Sequence, residues 1–263
     1  MKINASKPFK GLLEGFFKEH LKGIIKGFLL AFILFLVSSY PHLAQASLQV
    51  REYQAEYQLC WNGIPVGTSK HRVKELAPNH FLAQAHSFPK LKFLPFEDFE
   101  ASEFIHNEKQ MRPITYRFRT RDNRKTQEGV LSFNWKTLNL TKAIKKQPQK
   151  QETIQESISP ITHDRITQFF QLREDLKAGK TQLSYTVVEA NKLNHWNFHI
   201  VGHETLQTPV GQLETIKIEH LTENKDRRTQ FWLARDLDYV MVKLVQYKNE
   251  KKNVDVLINK FSR

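Results

Sequence analysis

Apolar and polar residues alternate with a period of two along most of the chain after residue 47. The alternation is clearest at 114–119, 130–135 and 213–218. Two C-terminal segments, 239–247 and 253–260, are rich in Val, Tyr and Leu. Residues of this kind favour strands, and a period of two is typical of antiparallel strands that bury one face on a core.

Turn signals separate these strand-like segments. They include Asn62-Gly63, Asp122-Asn123, Thr208-Pro209-Val210-Gly211 and Lys248-Asn249. Short strands with regular turns are typical of barrels, sandwiches and strongly curved sheets. We therefore predict a mainly β fold, with one strongly curved antiparallel sheet or an open barrel; a β-sandwich is the alternative.

Two segments depart from the strand pattern. Between about 163 and 178, apolar residues recur at helical spacing, and Thr162 or Asp164 can cap the start while Gly179 ends the segment. We expect one α-helix here that covers a face of the sheet. The stretch 142–159 is rich in Gln and Lys and poor in aromatic residues. We interpret it as a mobile loop inside the domain.

The N-terminus has the order of a secretory signal peptide. A long basic region precedes the apolar run 28–37, and the small-residue triplet Ala44-Gln45-Ala46 follows Pro41. We expect cleavage after Ala46, which leaves 47–263 as a single β-rich periplasmic domain. The alternative is an inner-membrane anchor formed by 28–37, although about 20 apolar residues are needed for a spanning helix.

Composition narrows the class of protein. The 263 residues carry a formal net charge of +13, which points to acidic partners. For an exported protein we expect no nucleic acid among them. The chain has a single cysteine, Cys60, which excludes an intrachain disulfide. We expect Cys60 to act as a small buried apolar residue rather than as a nucleophile.

Three arginines share one face of a predicted strand: Arg117, Arg119 and Arg121. They could contact a lipid headgroup or another anionic component of the cell envelope. The alternative is a solvated outer face that prevents edge pairing.

An aromatic, proline-punctuated loop follows at 88–96. Its phenylalanines are Phe88, Phe93 and Phe96. If exposed, they would form a patch for a membrane or an apolar ligand; if packed, they would cover the core.

No catalytic, cofactor-binding or metal-binding residues can be assigned from motifs. The sequence has no G-x-S-x-G element and no Walker loop. His195, His199 and His203 are spaced by four, but they lie in a strand-like segment. On a strand, His195 and His199 would be roughly 13 Å apart, too far for one ion.

Several spaced motifs together carry a family resemblance. They are Tyr57-x-x-x-Trp61-Asn62-Gly63-Ile64-Pro65-Val66-Gly67, Arg112-Pro113, Phe133-x-Trp135, Asp164-x-x-Thr167-Gln168, Gly202-x-Glu204-x-Leu206-x-Thr208-Pro209-x-Gly211 and Phe231-Trp232-Leu233-Ala234-x-Asp236. In this order the chain resembles the bacterial family called domain of unknown function 3108. The resemblance implies an exported, mostly β protein of the Gram-negative envelope with no established activity. It supplies no catalytic residues.

These observations favour a non-enzymatic protein that binds a lipid or other apolar ligand in a cavity of the β-sheet, with basic residues meeting an anionic headgroup. The alternative is an envelope interaction or scaffold protein with a filled core and a basic contact face. A hydrolase is a third hypothesis. Membrane contact is expected only through the signal segment or at the periphery.

Overall fold

Strands make up most of the chain that the computed structural model describes, which is residues 50–90, 96–107, 110–122, 125–147, 150–190, 192–221 and 227–263. Contacts group these described residues into one compact unit. The predicted signal peptide, with its apolar run and its cleavage site, lies outside the described residues.

The first half of the domain consists of strands β1 (Tyr53–Trp61), β2 (Ile64–Ala77), β3 (His80–Pro89), β4 (Phe96–Asn107), β5 (Gln110–Asp122), β6 (Lys125–Asn134), β7 (Asn139–Gln147) and β8 (Lys150–Ser157). The second half contains β9 (Thr162–Asp164), helix α1 (Thr167–Lys177), β10 (Leu183–Glu189), β11 (Lys192–Thr208), β12 (Gly211–Leu221), β13 (Arg227–Ala234), a 3-10 turn (Arg235–Leu237), β14 (Val240–Lys248) and β15 (Lys251–Ser262).

All fifteen strands belong to one sheet, in the order β8-β7-β6-β5-β4-β3-β2-β1-β15-β14-β13-β12-β11-β10-β9. Neighbouring strands are antiparallel, except that the short β9 runs parallel to β10. The first and last strands pair at the centre of the sheet, and both edges come from the middle of the chain.

Chain connectivity forces this sheet to curl. Its edge strands β8 and β9 are separated only by residues 158–161. Five extended steps of the chain span at most about 18 Å, so the two edges must lie close together. Val188 of β10 accordingly packs in one cluster with Leu131 and Leu140 from the opposite half. The structure thus confirms a mainly β fold with one strongly curved, open antiparallel sheet.

Helix α1 lies against the inner face of this sheet. Leu172 and Leu176 pack with Ile218 and Leu233 in one buried cluster. On another side of the helix, Phe170 lies 4.9 Å from the ring of Phe104 on β4. The predicted covering helix is therefore confirmed.

The helix begins four residues later than predicted, because the residues before it form β9. Asp164 at the end of β9 still acts as a cap: its Oδ1 accepts the N–H groups of Ile166 and Thr167 at 2.8 and 2.7 Å. Thr167 Oγ1 in turn accepts the Asp164 N–H at 3.0 Å. Gly179 follows the helix with a left-handed φ of 72°. The two reciprocal hydrogen bonds between Asp164 and Thr167 resemble a capping box.

The predicted mobile loop at 142–159 is wrong, because most of it forms the β7–β8 hairpin. Its inward positions are occupied by Lys142 and Ile144, each 1% exposed, and the buried Lys142 ammonium pairs with Glu156 at 2.5 Å. Ala143 and Lys145, which alternate with them, are exposed on the solvent side. Because the charged Lys142 occupies an inward position, the alternation of apolar and polar residues that is typical of a strand is interrupted in this segment.

The tryptophans of the family motifs differ in how deeply they are buried. Trp232 is buried on β13, whereas Trp61 is 52% exposed beside the Asn62-Gly63 turn. Trp61 therefore does not pack inside the sheet. Cys60 is half-buried at the end of β1, where burial raises the pKa of its thiol.

Candidate functional site

A cavity lies between helix α1 and the inner face of the sheet. Its volume is about 300 Å³, and strands β1–β4 and β13–β15 border it together with the helix. Most of its wall is apolar and includes Val73, Phe169, Phe170, Met241, Leu244 and Val256. A concave, mostly apolar space with a few polar groups is the usual form of a small-molecule site.

The size of the inner-face residues on β3 explains why the space is open. From one end of the strand to the other these residues are Phe81, Ala83, Ala85 and Ser87. Phe81 stacks on Phe104 at 5.6 Å and fills the region under the helix. The two alanines and the serine leave the next region empty, and all three line the cavity.

Three polar side chains form a chain of hydrogen bonds on the cavity wall; we call Ser69, His71 and Ser87 the serine–histidine cluster. Ser87 Oγ donates to Ser69 Oγ at 2.8 Å, and Ser69 Oγ lies 3.2 Å from His71 Nε2. The ring of Tyr57 packs 4.6 Å from the His71 ring, and its hydroxyl donates to the Met241 carbonyl at 2.8 Å. The cluster is therefore held in place by β1, β2, β3 and β14.

Burial lowers the pKa of His71 to about 4, so its imidazole is neutral at pH 7. Ser87 donates to Ser69, and the Ser69 proton is therefore free to point at His71 Nε2. This arrangement requires the tautomer that carries its proton on Nδ1. Among the described residues, Nδ1 has no hydrogen-bond partner.

Charged side chains border the cavity, and two of its arginines are held by neighbouring oxygen atoms. Arg165 Nε lies 3.3 Å from Glu100 Oε1, and Arg173 Nε donates to the Asp238 carbonyl at 2.7 Å. Burial raises the pKa of Glu100, and the Arg165 guanidinium opposes that shift. The residues that line the cavity thus include two acidic residues, Asp98 and Glu100, and three arginines, Arg72, Arg165 and Arg173.

The structure places Arg117, Arg119 and Arg121 together on the exposed outer face of β5, away from this cavity. Arg119 pairs with Glu128 at 3.3 Å, and Lys145 approaches the same carboxylate at 3.7 Å. A shallow depression of about 590 Å³ lies beside them on this outer face. Anion binding by this face stays a prediction.

The predicted aromatic loop is divided between the two faces of the sheet. The Phe88 ring lies on the outer face, where the Lys70 ammonium is 5.6 Å from its centre. Phe96 lies on the inner face, where a Cβ added to Gly67 would lie 2.7 Å from its ring. Phe93 lies outside the described residues. Neither Phe88 nor Phe96 lines the cavity under α1.

His195, His199 and His203 lie on strand β11 with exposed side chains. In the part of the chain that the structure describes, no three His, Cys, Asp or Glu side chains are close enough together to hold a metal ion. The same residues include no helix that is both long and apolar enough to cross a bilayer.

Sequence reasoning missed the serine–histidine cluster and Tyr57 as site residues. The available signal was the interruption of large apolar side chains at inward positions, in Gly67-x-Ser69-x-His71 and in Ala83-x-Ala85-x-Ser87. Small residues at alternate positions of two paired strands indicate space on that face.

The chain belongs to a family of proteins of unknown function, DUF3108, whose model matches residues 53–249. No functionally curated protein shows significant similarity to it. The fold is similar to that of a β-barrel-like protein of another domain of unknown function, DUF1849, from Brucella abortus. That similarity has a TM-score of 0.54 at 11% identity, over 81% of this chain and 98% of the other. A Bacteroides fragilis protein, provisionally named an exported protein with a YmcC-like fold, matches with a TM-score of 0.34 and 10% identity, over 82% and 97%.

The family motifs have structural roles in this chain. Asn62 and Gly63 take the positive φ angles, 48° and 81°, that a tight hairpin turn needs. The Trp232 indole donates to Glu204 Oε2 at 2.9 Å, joining two of the motifs. Tyr57 belongs to the same motif as Asn62 and Gly63, and it also lines the cavity.

Proposed function

We propose that this protein is an exported, non-enzymatic binding protein that holds one apolar ligand in the cavity between helix α1 and the sheet. The observation that carries the proposal is the cavity itself, of about 300 Å³ with a mainly apolar wall. This volume is at the lower end of small-molecule sites, which favours a single acyl or alkyl chain over a lipid with several chains.

The packing around the cavity supports binding rather than incomplete folding. Well-packed interiors have few voids larger than a water molecule, and an unfilled apolar space loses contacts on every side. Here the cavity lies between a filled aromatic cluster around Phe81 and a second cluster around Leu233. A ligand would restore the missing contacts without any change in the strands.

The pairing of Ser69 with His71 calls for a comparison with serine hydrolases. A catalytic histidine needs a pKa near the working pH and a group that orients its second nitrogen. The pKa of His71 is about 4, and its Nδ1 meets no carboxylate among the described residues. These features support binding, and we expect no ester turnover that depends on Ser69.

The proposal is tested by producing the full chain in a Gram-negative host and recording native mass spectra of the exported protein. Organic extraction and lipid analysis would follow. We expect a stoichiometric adduct that the solvent releases. A bare mass, with no lipid above that of a control periplasmic protein, would contradict the proposal.

The second candidate is an interaction or scaffold protein that uses the exposed Arg117, Arg119 and Arg121. It is favoured by the position of these side chains on one open face of β5. Under this hypothesis, reversing the three charges would remove binding to anionic vesicles, while ligand occupancy of the inner cavity would be unaffected.

A further inference from the structure

The serine–histidine cluster indicates which chemical class of ligand the cavity takes. We propose that Ser87 and His71 recognise an uncharged polar group, such as an alcohol, an ester or an amide, at one end of a single hydrocarbon chain. The inference rests on the proposed function, and it adds the selectivity of the site.

The hydrogen-bond chain leaves one donor and one acceptor for a ligand. Ser69 accepts from Ser87, and in the tautomer of His71 that carries its proton on Nδ1 it donates to His71, so Ser69 is used on both sides. The remaining groups are the Nδ1–H of His71 and the lone pairs of Ser87 Oγ. An alcohol or a primary amide can satisfy both, and an ester can use the donor.

The position of these groups fits the end of a chain. Ser69 is paired with Ser87 across β2 and β3, and His71 is paired with Ala85 in the same ladder. The cluster is therefore a compact patch of uncharged polar groups in a wall that is mainly apolar. A ligand with one polar end and one apolar chain matches that division.

Charge at the cavity wall argues against an anionic group at this position. Asp98 is the ladder partner of Ser87, and Glu100 is the ladder partner of Ala85, so carboxylates flank the cluster on β4. Arg165 is already paired with Glu100 at 3.3 Å. Arg72 also borders the cavity, but its exposed side chain leaves on the outer face of β2.

A carboxylate or phosphate at the cluster would thus be buried next to Asp98 and Glu100, which is costly. The Arg173 guanidinium also lines the cavity, but it is held over the Tyr53 ring, 5.6 Å from the ring centre, where its Nε donates to the Asp238 carbonyl. This selectivity differs from the anionic headgroup expected from the basic sequence, because the excess of positive charge lies elsewhere on the molecule. A neutral group needs only the hydrogen bonds that the cluster offers.

The test compares ligands of equal chain length on the purified full-length protein after removal of any co-purified lipid. The apolar fluorophore N-phenyl-1-naphthylamine reports occupancy, and decanol, decanamide, decanoate and decyl phosphate compete with it at pH 7.4. We expect decanol and decanamide to bind at least about tenfold more tightly than the two anions, which corresponds to one or two well-formed hydrogen bonds against a desolvated charge.

Two variants locate the selectivity. Ser87→Ala and His71→Phe should retain the fluorophore and lower the preference for decanamide over decanoate by about threefold to tenfold. Ser132→Ala is the matched control, because Ser132 is exposed on the outer face of β6. It should leave the preference unchanged.

The outcomes separate the two proposals. Decanoate binding as tightly as decanol, with or without proton uptake at His71, would overturn the inference but leave the binding function standing. An unchanged preference in both cluster variants would also overturn it. Failure of the fluorophore and of every decyl compound to bind would instead contradict the proposed function itself.

Discussion

Helix α1 contacts two regions of the same sheet that are packed in different ways. Towards β10–β13, Leu172 and Leu176 enter a cluster filled by Phe198, Ile218 and Phe231. Towards β2 and β3, the helix faces small inner side chains and a cavity of about 300 Å³. Both regions are built from antiparallel strands of one sheet. The difference in packing therefore arises from the volume of the side chains on the inner face. The filled region stabilises the fold, and the open region is available for a ligand.

The largest expected effect comes from removing volume in the filled region. Leu172 is fully buried, and Leu172→Ala should lower the free energy of unfolding by about 2–5 kcal/mol, because the cavity left behind adds to the lost transfer energy. Val73→Ala, at the edge of the existing cavity, should cost less, about 1–2 kcal/mol. Urea denaturation of both variants measures the contrast. Equal losses would show that the two regions do not differ in packing.

Acid should weaken the fold through its buried histidines. Burial lowers the pKa values of His71 and His163 to about 4, below the unfolded value of about 6.5. Both therefore contribute stability above pH 6.5 that is lost as the pH falls towards 4, on the order of 2–3 kcal/mol each. Burial raises the pKa of Asp164 to about 6 and also raises the pKa of Glu100, so these two carboxyl groups act in the opposite direction as the pH falls.

Denaturation between pH 7 and pH 4 measures this loss. His71→Phe should flatten the pH dependence, whereas Asp164→Asn should steepen it, because one of the two opposing carboxyl groups is then absent. A wild-type protein whose stability rises on acidification would contradict the neutral state assigned to the histidines.

Adding volume should have opposite consequences in the two regions. Ala234 is fully buried in a filled cluster, so Ala234→Leu should cost about 1–3 kcal/mol through overpacking. Ala85→Leu extends into the cavity and should be nearly neutral. Thermal unfolding measures the stability of both variants. A loss of stability in Ala85→Leu as large as that in Ala234→Leu would show that the open region cannot accept a ligand's hydrocarbon chain.

The smallest effect is expected on the outer face. Arg119 is exposed and pairs with Glu128 across β5 and β6 at 3.3 Å. Arg119→Ala should change the free energy of unfolding by less than about 0.5 kcal/mol, since exposed ion pairs contribute little. Denaturation at low and high salt checks this value. A loss above about 1 kcal/mol would mean that this face has a structural role.

Period-two alternation predicted the antiparallel sheet, and the apolar spacing at 163–178 predicted the helix, because both signals are local. The β7–β8 hairpin was missed because Lys142 occupies an inward position that normally holds an apolar residue. Its charge is acceptable only beside Glu156, which lies on the next strand.

The candidate site was harder to predict because it depends on distant residues. Ser69 and Ser87 face each other across the β2–β3 hairpin, but Met241 on β14 and Phe169 on helix α1 join them at the cavity only after the sheet has curled and the helix has packed against it. The sequence drew attention to Arg117, Phe88 and His195, because the segments around them are unusually rich in arginine, phenylalanine and histidine, respectively. None of them lines the cavity, since unusual composition on one strand carries no information about the strand or helix facing it.

The most direct test of the ligand cavity is titration with N-phenyl-1-naphthylamine of the wild type, Ala85→Leu and Ala143→Leu. Ala85 lines the inner cavity, and the exposed Ala143 lines the outer depression beside the arginines. We predict that Ala85→Leu weakens binding of the fluorophore by at least about tenfold, because the leucine side chain occupies space that the ligand would fill. Ala143→Leu should bind the fluorophore like the wild type. Unchanged binding in Ala85→Leu, or a loss confined to Ala143→Leu, would contradict the assignment of the ligand to the space under helix α1.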